Sequence, residues 1–293
     1  MANTFQAYAS KFQPILDEEL VQGLRTGWME LNGERIDYNG GKDIKIAKYT
    51  VDDLGDYDRN TGYAAGGVKF EWETKTLEYD RSTLIDLDTM DINEENFIPT
   101  ATGVLNQLLR TKVAPEVDLV RIAKLATAAG HKKAVAITKD NALEEFLEGI
   151  YKVVDSGYDG QLIAHISTDM YLQLQLRMAN QIGSVTFAVE GIDVTFPSIN
   201  DVALIVTTSD KMFDAVKKTG QKIEADGNAV NFLIAGREVP IAVVKHNPIN
   251  VILPEDNQSK DGFMLKYRLY HGIFTEDNKV NAVYVCTAPA VGE

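Results

Sequence analysis

Cysteine is almost missing from this chain of 293 residues, since Cys286 is the only one. A single thiol excludes an intramolecular disulfide and a cysteine-based zinc site. Cys286 ends the apolar run that begins at Val283 and is predicted to be a small buried residue. The four histidines follow no metal-ligand spacing, and His165 lies in an apolar run that predicts a position in the core.

Long apolar runs and basic residues are also scarce. No apolar stretch approaches the ~20 residues that cross a bilayer, and no charged segment followed by an apolar run marks the N-terminus for export. We therefore expect no membrane association. With 43 acidic and 29 basic residues, the net charge is −14, which argues against a protein that reads nucleic-acid sequence, because such proteins need a basic footprint.

Catalytic signatures are missing as well. The sequence contains no glycine-rich phosphate loop, no zinc-protease motif and no nucleophile elbow. Asp86, Asp88 and Asp91 lie close together in sequence, and a solvated edge that leads into a helix cap is favoured over a metal or acid–base site. The sequence therefore predicts no enzyme, no cofactor and no catalytic or metal-ligating residue.

The clearest pattern that is present is a long hairpin within residues 40–83. Two stretches with a period of two, 44–49 and 68–76, flank a turn-rich segment from Asp56 to Gly67. Because a two-stranded hairpin is marginal alone in water, it needs something to lie on. The aromatic residues Tyr63, Phe70 and Trp72 on this projection, and Trp28 on the segment before it, are our candidates for contacts with a neighbouring subunit.

Around the hairpin the pattern is mixed. A short helical pattern over 12–24 precedes it, and a long helical region from Ile98 to Ala129 follows, with Pro115 where its second half begins. The remainder alternates as in an α/β domain. Helices are predicted over 141–154, 168–180 and 211–219, a hairpin over 185–196, and strands over 161–166, 203–206, 230–234, 239–244, 263–274 and 280–286.

The order of these parts resembles the major capsid proteins of tailed bacteriophages, which have the Hong Kong ninety-seven (Johnson) fold. The resemblance spans nearly the whole chain, and its specificity lies in the order and spacing of the pieces. The stretches that carry it are Gly55–Arg59 with Gly62 and Tyr63, Trp72, Leu77–Arg81, Leu84–Asp91, Val113–Ala126, Tyr270–Thr275 and Lys279–Val285.

The resemblance implies an α+β architecture in four parts. These are an N-terminal arm (1–33), an extended β-hairpin loop (40–83), a peripheral domain with a spine helix (84–133 and 248–289), and an axial α/β domain (134–247). No lysine of the loop matches the position that forms an isopeptide cross-link in some relatives, so no cross-link is assigned.

The resemblance also implies a function. The chain would be a structural capsid protein that forms pentamers and hexamers in the icosahedral head shell of a virion, assembled in the cytoplasm of a bacterial host. It would enclose double-stranded DNA without sequence-specific binding and would meet a portal protein. Because the sequence begins directly with the arm, a separate scaffolding protein is expected. An encapsulin-like nanocompartment shell and an α/β enzyme that uses the acidic cluster are the alternatives.

Overall fold

The computed structural model describes residues 24–35, 43–57, 59–60, 62–88, 97–178, 182–189, 192–246, 249–259 and 262–290. The helical pattern predicted over 12–24 therefore lies outside the described residues except for Leu24, and so does Asp91. The first described element is a 3-10 helix, Gly27–Arg35. No helix within the described ranges is long and apolar enough to cross a membrane.

The predicted hairpin is present but shorter than its sequence boundaries. Strands β1 (Asp43–Val51) and β2 (Val68–Thr76) form a separate two-stranded sheet. The next strand, β3 (Tyr79–Asp88), leaves the hairpin and pairs elsewhere. The boundary at residue 83 was therefore wrong, because the alternating pattern continues through a change of sheet at Leu77, a buried residue between the two strands.

A long helical spine follows. It consists of α1 (Phe97–Leu108), one π-helical turn (Leu109–Val113) and α2 (Ala114–Ala128). Pro115 has no N–H for the carbonyl four residues earlier, at Thr111, which lies in the π-helical turn. A widened turn is the expected response to that missing bond. The proline therefore sits near the start of α2, as predicted, without ending the spine.

Most of the remaining elements build an eight-stranded mixed sheet in the order β4-β14-β10-β5-β8-β7-β6, with β9 paired to β10 beside it. Helices α3 and α4 contact strands of this sheet. The bounds are β4 His131–Ala134, α3 Ala142–Asp155, β5 Leu162–Ser167, α4 Thr168–Met178, β6 Gly183–Val189, β7 Ile192–Ile199, β8 Val202–Thr207, β9 Phe213–Thr219, β10 Lys222–Gly236, β11 Pro240–His246, β12 Ile249–Ile252, β13 Gly262–Thr275 and β14 Val283–Thr287.

The third sheet is centred on β13, which pairs with β3 along one edge and with β11 and β12 in succession along the other. Residues 240–246 thus join the sheet that sequence boundaries gave to the peripheral domain. The reverse holds for β4 and β14, which pair in parallel within the eight-stranded sheet. The boundaries drawn from sequence separate strands that pair with each other, because pairing partners lie far apart along the chain.

One predicted helix was wrong. Residues 211–219 were expected to be helical, yet Phe213–Thr219 is strand β9, which pairs antiparallel with β10 from Thr219↔Lys222 to Phe213↔Ala229. Gly220, with φ +59°, makes the tight turn between them. Contact with the spine helix α2 holds β9 in place, so tertiary pairing overrides a weak local helical preference.

Three hydrophobic clusters hold these layers together. The largest lies between the eight-stranded sheet, α2, α3 and α4, and includes Cys286 as predicted. The second joins the spine to β12 and β13 through residues such as Leu109, Val117 and Leu265. The third is small and anchors the base of the hairpin.

Candidate assembly surface

The hairpin has two chemically different faces. Its register runs without a break from Asp43↔Thr76 to Val51↔Val68, so directly opposite residues share a face. One face presents Ile44 and Ile46 near the base and charged residues further out. The other presents the aromatic stripe, defined as Tyr49, Val51, Val68, Phe70 and Trp72.

The base of the hairpin is fixed to the rest of the subunit. Ile44 and Ile46 are buried against Ile241 of β11 and Tyr270 of β13. The Tyr270 hydroxyl donates a hydrogen bond to the carbonyl of Leu77 at 3.2 Å. Anchoring at one end and on one face leaves the outer half of the hairpin without cover from the part of the chain that the structure describes.

A charged contact adds to the anchorage. The Lys75 ammonium lies 3.1 Å from Asp277, beyond the end of β13. Burial lowers the pKa of Lys75, but its hydrogen bonds to Glu73 and Asp277 outweigh that effect and raise the pKa above its usual value. Lys75 therefore stays charged at neutral pH and ties β2 to the β13–β14 connection.

The aromatic stripe is exposed along its whole length. Phe70 and Trp72 are 44% and 48% exposed, and Tyr49, Val51 and Val68 are exposed still further. The rings support each other, with centroids 5.0 Å apart for Tyr49 and Phe70 and 5.1 Å apart for Phe70 and Trp72. A contiguous apolar surface of this kind on a projection is typical of an interaction site.

The tip of the hairpin is closed by local bonds and carries exposed apolar side chains among its aspartates. The amide of Asp52 donates to the carbonyl of Gly67, and the Gly67 amide donates to the Asp52 carboxylate at 2.9 Å. Tyr57 and Tyr63 pack edge to face with centroids 5.2 Å apart, and Tyr63 is 92% exposed. Leu54 is fully exposed. The tip thus extends the uncovered apolar surface beyond the stripe.

The opposite face of the outer hairpin is polar. Lys69 and Glu71 form an ion pair there, which lowers the pKa of the Glu71 carboxyl below its usual value. Because this pair is fully solvated, its contribution to stability is small. The outer hairpin is therefore apolar on one face only, and the aromatic stripe does not result from strands that are apolar on both faces.

Three of the four predicted contact residues, Tyr63, Phe70 and Trp72, lie together on the hairpin, and their role as contacts stays a prediction. Sequence reasoning did not single out Tyr49, Val51 or Val68. The period of two in β1 could have found Tyr49, because it places Tyr49 on the face opposite to Ile44 and Ile46.

Trp28 was wrongly placed among these candidates. It is only 2% exposed and packs in the largest cluster of its own chain. Its indole N–H donates to Nε2 of His165 at 3.0 Å, and Nδ1 of His165 lies 3.2 Å from the Thr207 hydroxyl. Complete burial lowers the pKa of His165 to about 3. The predicted core position of His165 is confirmed, and the neutral imidazole accepts from Trp28.

Residues 26–29 are buried in the core of their own subunit although they lie inside the predicted arm (1–33), which corrects that boundary. The fully buried Asp118 carboxylate of α2 accepts from the amide of Thr26 at 3.1 Å and from its hydroxyl at 2.8 Å. One turn further along α2, the buried guanidinium of Arg121 donates to Glu30. These charged residues of the spine, missed from sequence, fix the segment to the helix.

Within the described ranges, no group of three acidic, histidine or cysteine side chains could hold a metal ion. Asp86 lies on β3, while Asp91 and the side chain of Asp88 lie outside the described part of the chain.

Comparison with known proteins gives no matching family profile and no matching curated protein. Solved structures do match. The bacteriophage PhiM1 mature capsid is 11% identical, with 87% of this chain and 84% of that chain covered and a TM-score of 0.60. The cyanophage P-SCSP1u capsid is 12% identical, with coverage of 85% and 84% and a TM-score of 0.58.

The chain has the capsid fold of tailed bacteriophages. This confirms the α+β, Hong Kong ninety-seven-like architecture expected from the sequence. The same fold extends to the virus-like particle from Pyrococcus furiosus, which is 11% identical, with 97% of this chain and 99% of that chain covered and a TM-score of 0.52. At these identities the capsid fold is shared while nearly every side chain differs.

Proposed function

We propose that this protein is the major capsid protein of a tailed bacteriophage or prophage, and that copies of it close into an icosahedral shell around double-stranded DNA. The observation that carries the proposal is the aromatic stripe, an apolar face anchored at its base and uncovered in the single chain. The capsid fold supports the same conclusion.

The proposed contact is heterologous, with the stripe of one subunit lying on a different surface of the next. Contacts of this kind close into rings when the rotation between subunits allows it, as pentamers and hexamers require. In this proposal residues 43–76 are the extended loop, the spine with the β13 sheet forms the peripheral domain, and the eight-stranded sheet forms the axial domain.

Further partners belong to the same proposal. A separate scaffolding protein would guide assembly in the host cytoplasm, and a portal protein would occupy one vertex of the virion. The net charge of −14 would keep packaged DNA from adhering to the wall, because like charges repel within the screening length of about 10 Å at 0.1 M salt. The encapsulin-like alternative predicts a protein cargo in place of DNA.

The proposal is tested with Trp72→Ala. Roughly half of a tryptophan, about 100 Å², remains to be covered, which corresponds to about 2–3 kcal/mol per contact at ~25 cal/mol per Å². We expect loss of closed particles in sedimentation and negative-stain microscopy, while the melting curve of the unassembled subunit stays unchanged. Lys69→Ala, on the polar face of the same strand, is the matched control and should assemble normally.

Two results would contradict this expectation. Wild-type protein that stays monomeric at high concentration with scaffold supplied would overturn the shell function. Normal particle yield from Trp72→Ala, with a lowered subunit melting temperature, would mean that the chain itself uses Trp72 for folding. Particles that purify with a protein cargo and no nucleic acid would favour the nanocompartment.

A further inference from the structure

A second surface of the subunit is a cleft of about 1160 Å³. Its walls are strands β3 and β13, the π-helical turn with the start of α2, and the turn that joins β9 to β10. Arg81 of β3 connects these walls, because its guanidinium donates two hydrogen bonds to Glu116 of α2 and a third to the carbonyl of Gln221 in the β9–β10 turn. The shape of the cleft is therefore set by bonds within the subunit.

The cleft is basic although the chain carries a net charge of −14. Six basic and two acidic side chains line it. Glu116 neutralises Arg81. Asp80 neutralises Arg268 through two hydrogen bonds of 2.8 and 2.6 Å. The other four bases are exposed and have no ion-pair partner among the described residues. These are the cleft lysines, Lys112, Lys218, Lys222 and Lys266.

The cleft also has an apolar side. Leu84 of β3 is 53% exposed there, and Leu108 and Val113 of the spine are half-buried. An occupant that satisfies both features carries carboxylates next to apolar side chains. A bare phosphate chain would leave the apolar side in water, so a nucleic acid matches the cleft less well than an acidic protein surface.

The tip of the hairpin, residues 52–67, carries the complementary groups. Its described residues include exposed aspartates at positions 52, 53 and 56, and a single base, Arg59. Asp53 and Asp56 have no ion-pair partner within the described part of the chain. The exposed apolar side chains beside them are Leu54, Tyr57 and Tyr63. The tip therefore offers carboxylates next to apolar side chains, which is the combination that matches the cleft.

The tip and the cleft of one chain lie apart. None of the described tip residues lines the cleft. The two hairpin strands have nine residues each and pair without a break, so they span about 30 Å at ~3.3 Å per residue. The base of this ladder is fixed on β11 and β13, and the cleft begins only four residues past the base, at Asp80. The tip that matches a cleft is therefore supplied by another copy.

We propose that the hairpin tip of one copy docks in the basic cleft of a second copy, with its aspartates on the cleft lysines and its leucine and tyrosines on the apolar side. This inference rests on the proposed shell function and names the surface of the neighbour that receives the hairpin. The contact is heterologous, so each copy in a ring uses both its tip and its cleft. Because charge complementarity fixes register more than it adds affinity, the aspartates select the position and the apolar side chains hold it.

The first test reverses the charge on each surface and then on both. Asp53→Lys/Asp56→Lys reverses the tip, and Lys218→Glu/Lys222→Glu reverses the cleft. Each pair alone should lower the yield of closed particles roughly tenfold in sedimentation, because like charges then meet across the contact. All four substitutions in one chain should restore most of the yield. Melting curves of the unassembled subunits should stay unchanged, since all four positions are exposed.

A matched control separates the cleft from the net charge of the protein. Lys139→Glu/Lys152→Glu makes the same change in charge as the cleft variant, at two exposed lysines that do not line the cleft. We expect this variant to assemble as the wild type does. A loss of yield equal to that of the cleft variant would show that assembly responds to overall charge, and would overturn the docking.

The second test joins the two surfaces directly in wild-type particles. Unlabelled and ¹⁵N-labelled subunits are mixed and assembled, treated with a carbodiimide, which joins carboxylates to lysines in contact, digested, and analysed by mass spectrometry. We expect peptides that join residues 53–56 to the cleft lysines, many of them with one labelled and one unlabelled half. Products in which both halves always carry the same isotope would overturn the proposal by assigning the cleft to the tip of its own chain.

Failure of the docking and failure of the shell function give different results. Wild-type subunits that form no particles with scaffold supplied would overturn the shell function. Normal particles from the wild type and from both charge-reversed variants, with no products from residues 53–56, would overturn the docking and leave the shell function standing. Loss of yield in both variants without recovery in the combined variant would also overturn the docking, because the two sets of charges would then act at separate contacts.

Discussion

The two tryptophans of this protein lie in regions with opposite solvent exposure. Trp28 is 2% exposed, stacked on His165 with ring centroids 5.9 Å apart, and bonded to it through the indole N–H. Trp72 is 48% exposed and touches only its neighbours on the hairpin among the described aromatic residues. One ring completes the core of the subunit, and the other is half exposed on the hairpin.

The difference shows that a large aromatic residue in a segment outside the α/β domain can be interpreted in two ways. It can belong to the core of its own subunit, or it can form a contact with a neighbouring subunit. Both tryptophans were predicted as assembly contacts on the same argument. Trp28 is separated from His165 by 137 residues, so the 3-10 helix that carries it is a part of the fold only because the tertiary structure brings it to β5. Among the described residues, the outer half of the hairpin has no such long-range partner.

The largest expected effect follows from that contrast. Trp28→Ala removes a core aromatic and leaves the Nε2 acceptor of His165 without its donor, so we expect a loss of about 3–5 kcal/mol in the free energy of unfolding. Urea unfolding of the unassembled subunit measures it. Trp72→Ala is the matched control and should lose less than about 1 kcal/mol, since its ring is half in water. Equal losses of unfolding free energy in the two variants would contradict the distinction between a buried Trp28 and an exposed Trp72.

A smaller effect is expected in the pH dependence of the free energy of unfolding, which reports on the buried core around His165 and not on the exposed hairpin. His165 and His271 have pKa values near 3, mainly because burial disfavours the charged ring. Their unfolded pKa is about 6.5, so between these values the unfolded state binds protons that the native state does not. Stability is therefore full above pH 6.5 and falls as the pH drops toward 3, by up to about 1.4 kcal/mol per pH unit for each histidine.

His165→Gln should reduce that slope, because an amide oxygen can accept from Trp28 without titrating. The free energy of unfolding is measured between pH 7 and pH 5, above the range where most carboxylates titrate. His131→Gln, at the half-buried start of β4, serves as control. A slope identical to that of the wild type in His165→Gln would contradict a neutral, buried imidazole at this position.

The smallest effect on the subunit is expected at the tip. Replacing residues 53–66 by Asn-Gly leaves Asp52 and Gly67 to close the turn, and none of the removed residues that the structure describes belongs to a hydrophobic cluster. Loop-closure entropy changes by only about 0.6 kcal/mol per doubling of length. The subunit melting temperature should therefore stay within a degree or two. A larger fall would show that the tip packs on its own subunit.

The protein with the shortened hairpin also tests whether the tip takes part in the proposed assembly contact. If the tip extends the surface that a neighbour covers, particle yield should fall although folding is intact. Yield equal to that of the wild type would confine the proposed contact to the aromatic stripe. The two measurements on one variant thus separate what the hairpin does for folding from what it does for assembly.

The sequence by itself determined the local elements that have strong periodicity or clear punctuation. The hairpin strands, the spine with Pro115 near the start of its second half, and the core positions of His165 and Cys286 could all be read from neighbouring residues. Three of the exposed aromatic residues on the hairpin were found in the same way. Each of these features depends on contacts or turns within a few residues along the chain.

Tertiary structure alone decided the rest, because it depends on partners distant in sequence. Residues 213–219 are a strand since β10 pairs with them, and β4 and β14 share a sheet although 153 residues separate the paired positions His131 and Tyr284. Trp28 is buried because Asp118 and Arg121 fix its segment on the spine. Both tryptophans are large apolar residues that gain free energy from burial, and only the tertiary structure decided that Trp28 is buried within its own chain while Trp72 stays half exposed.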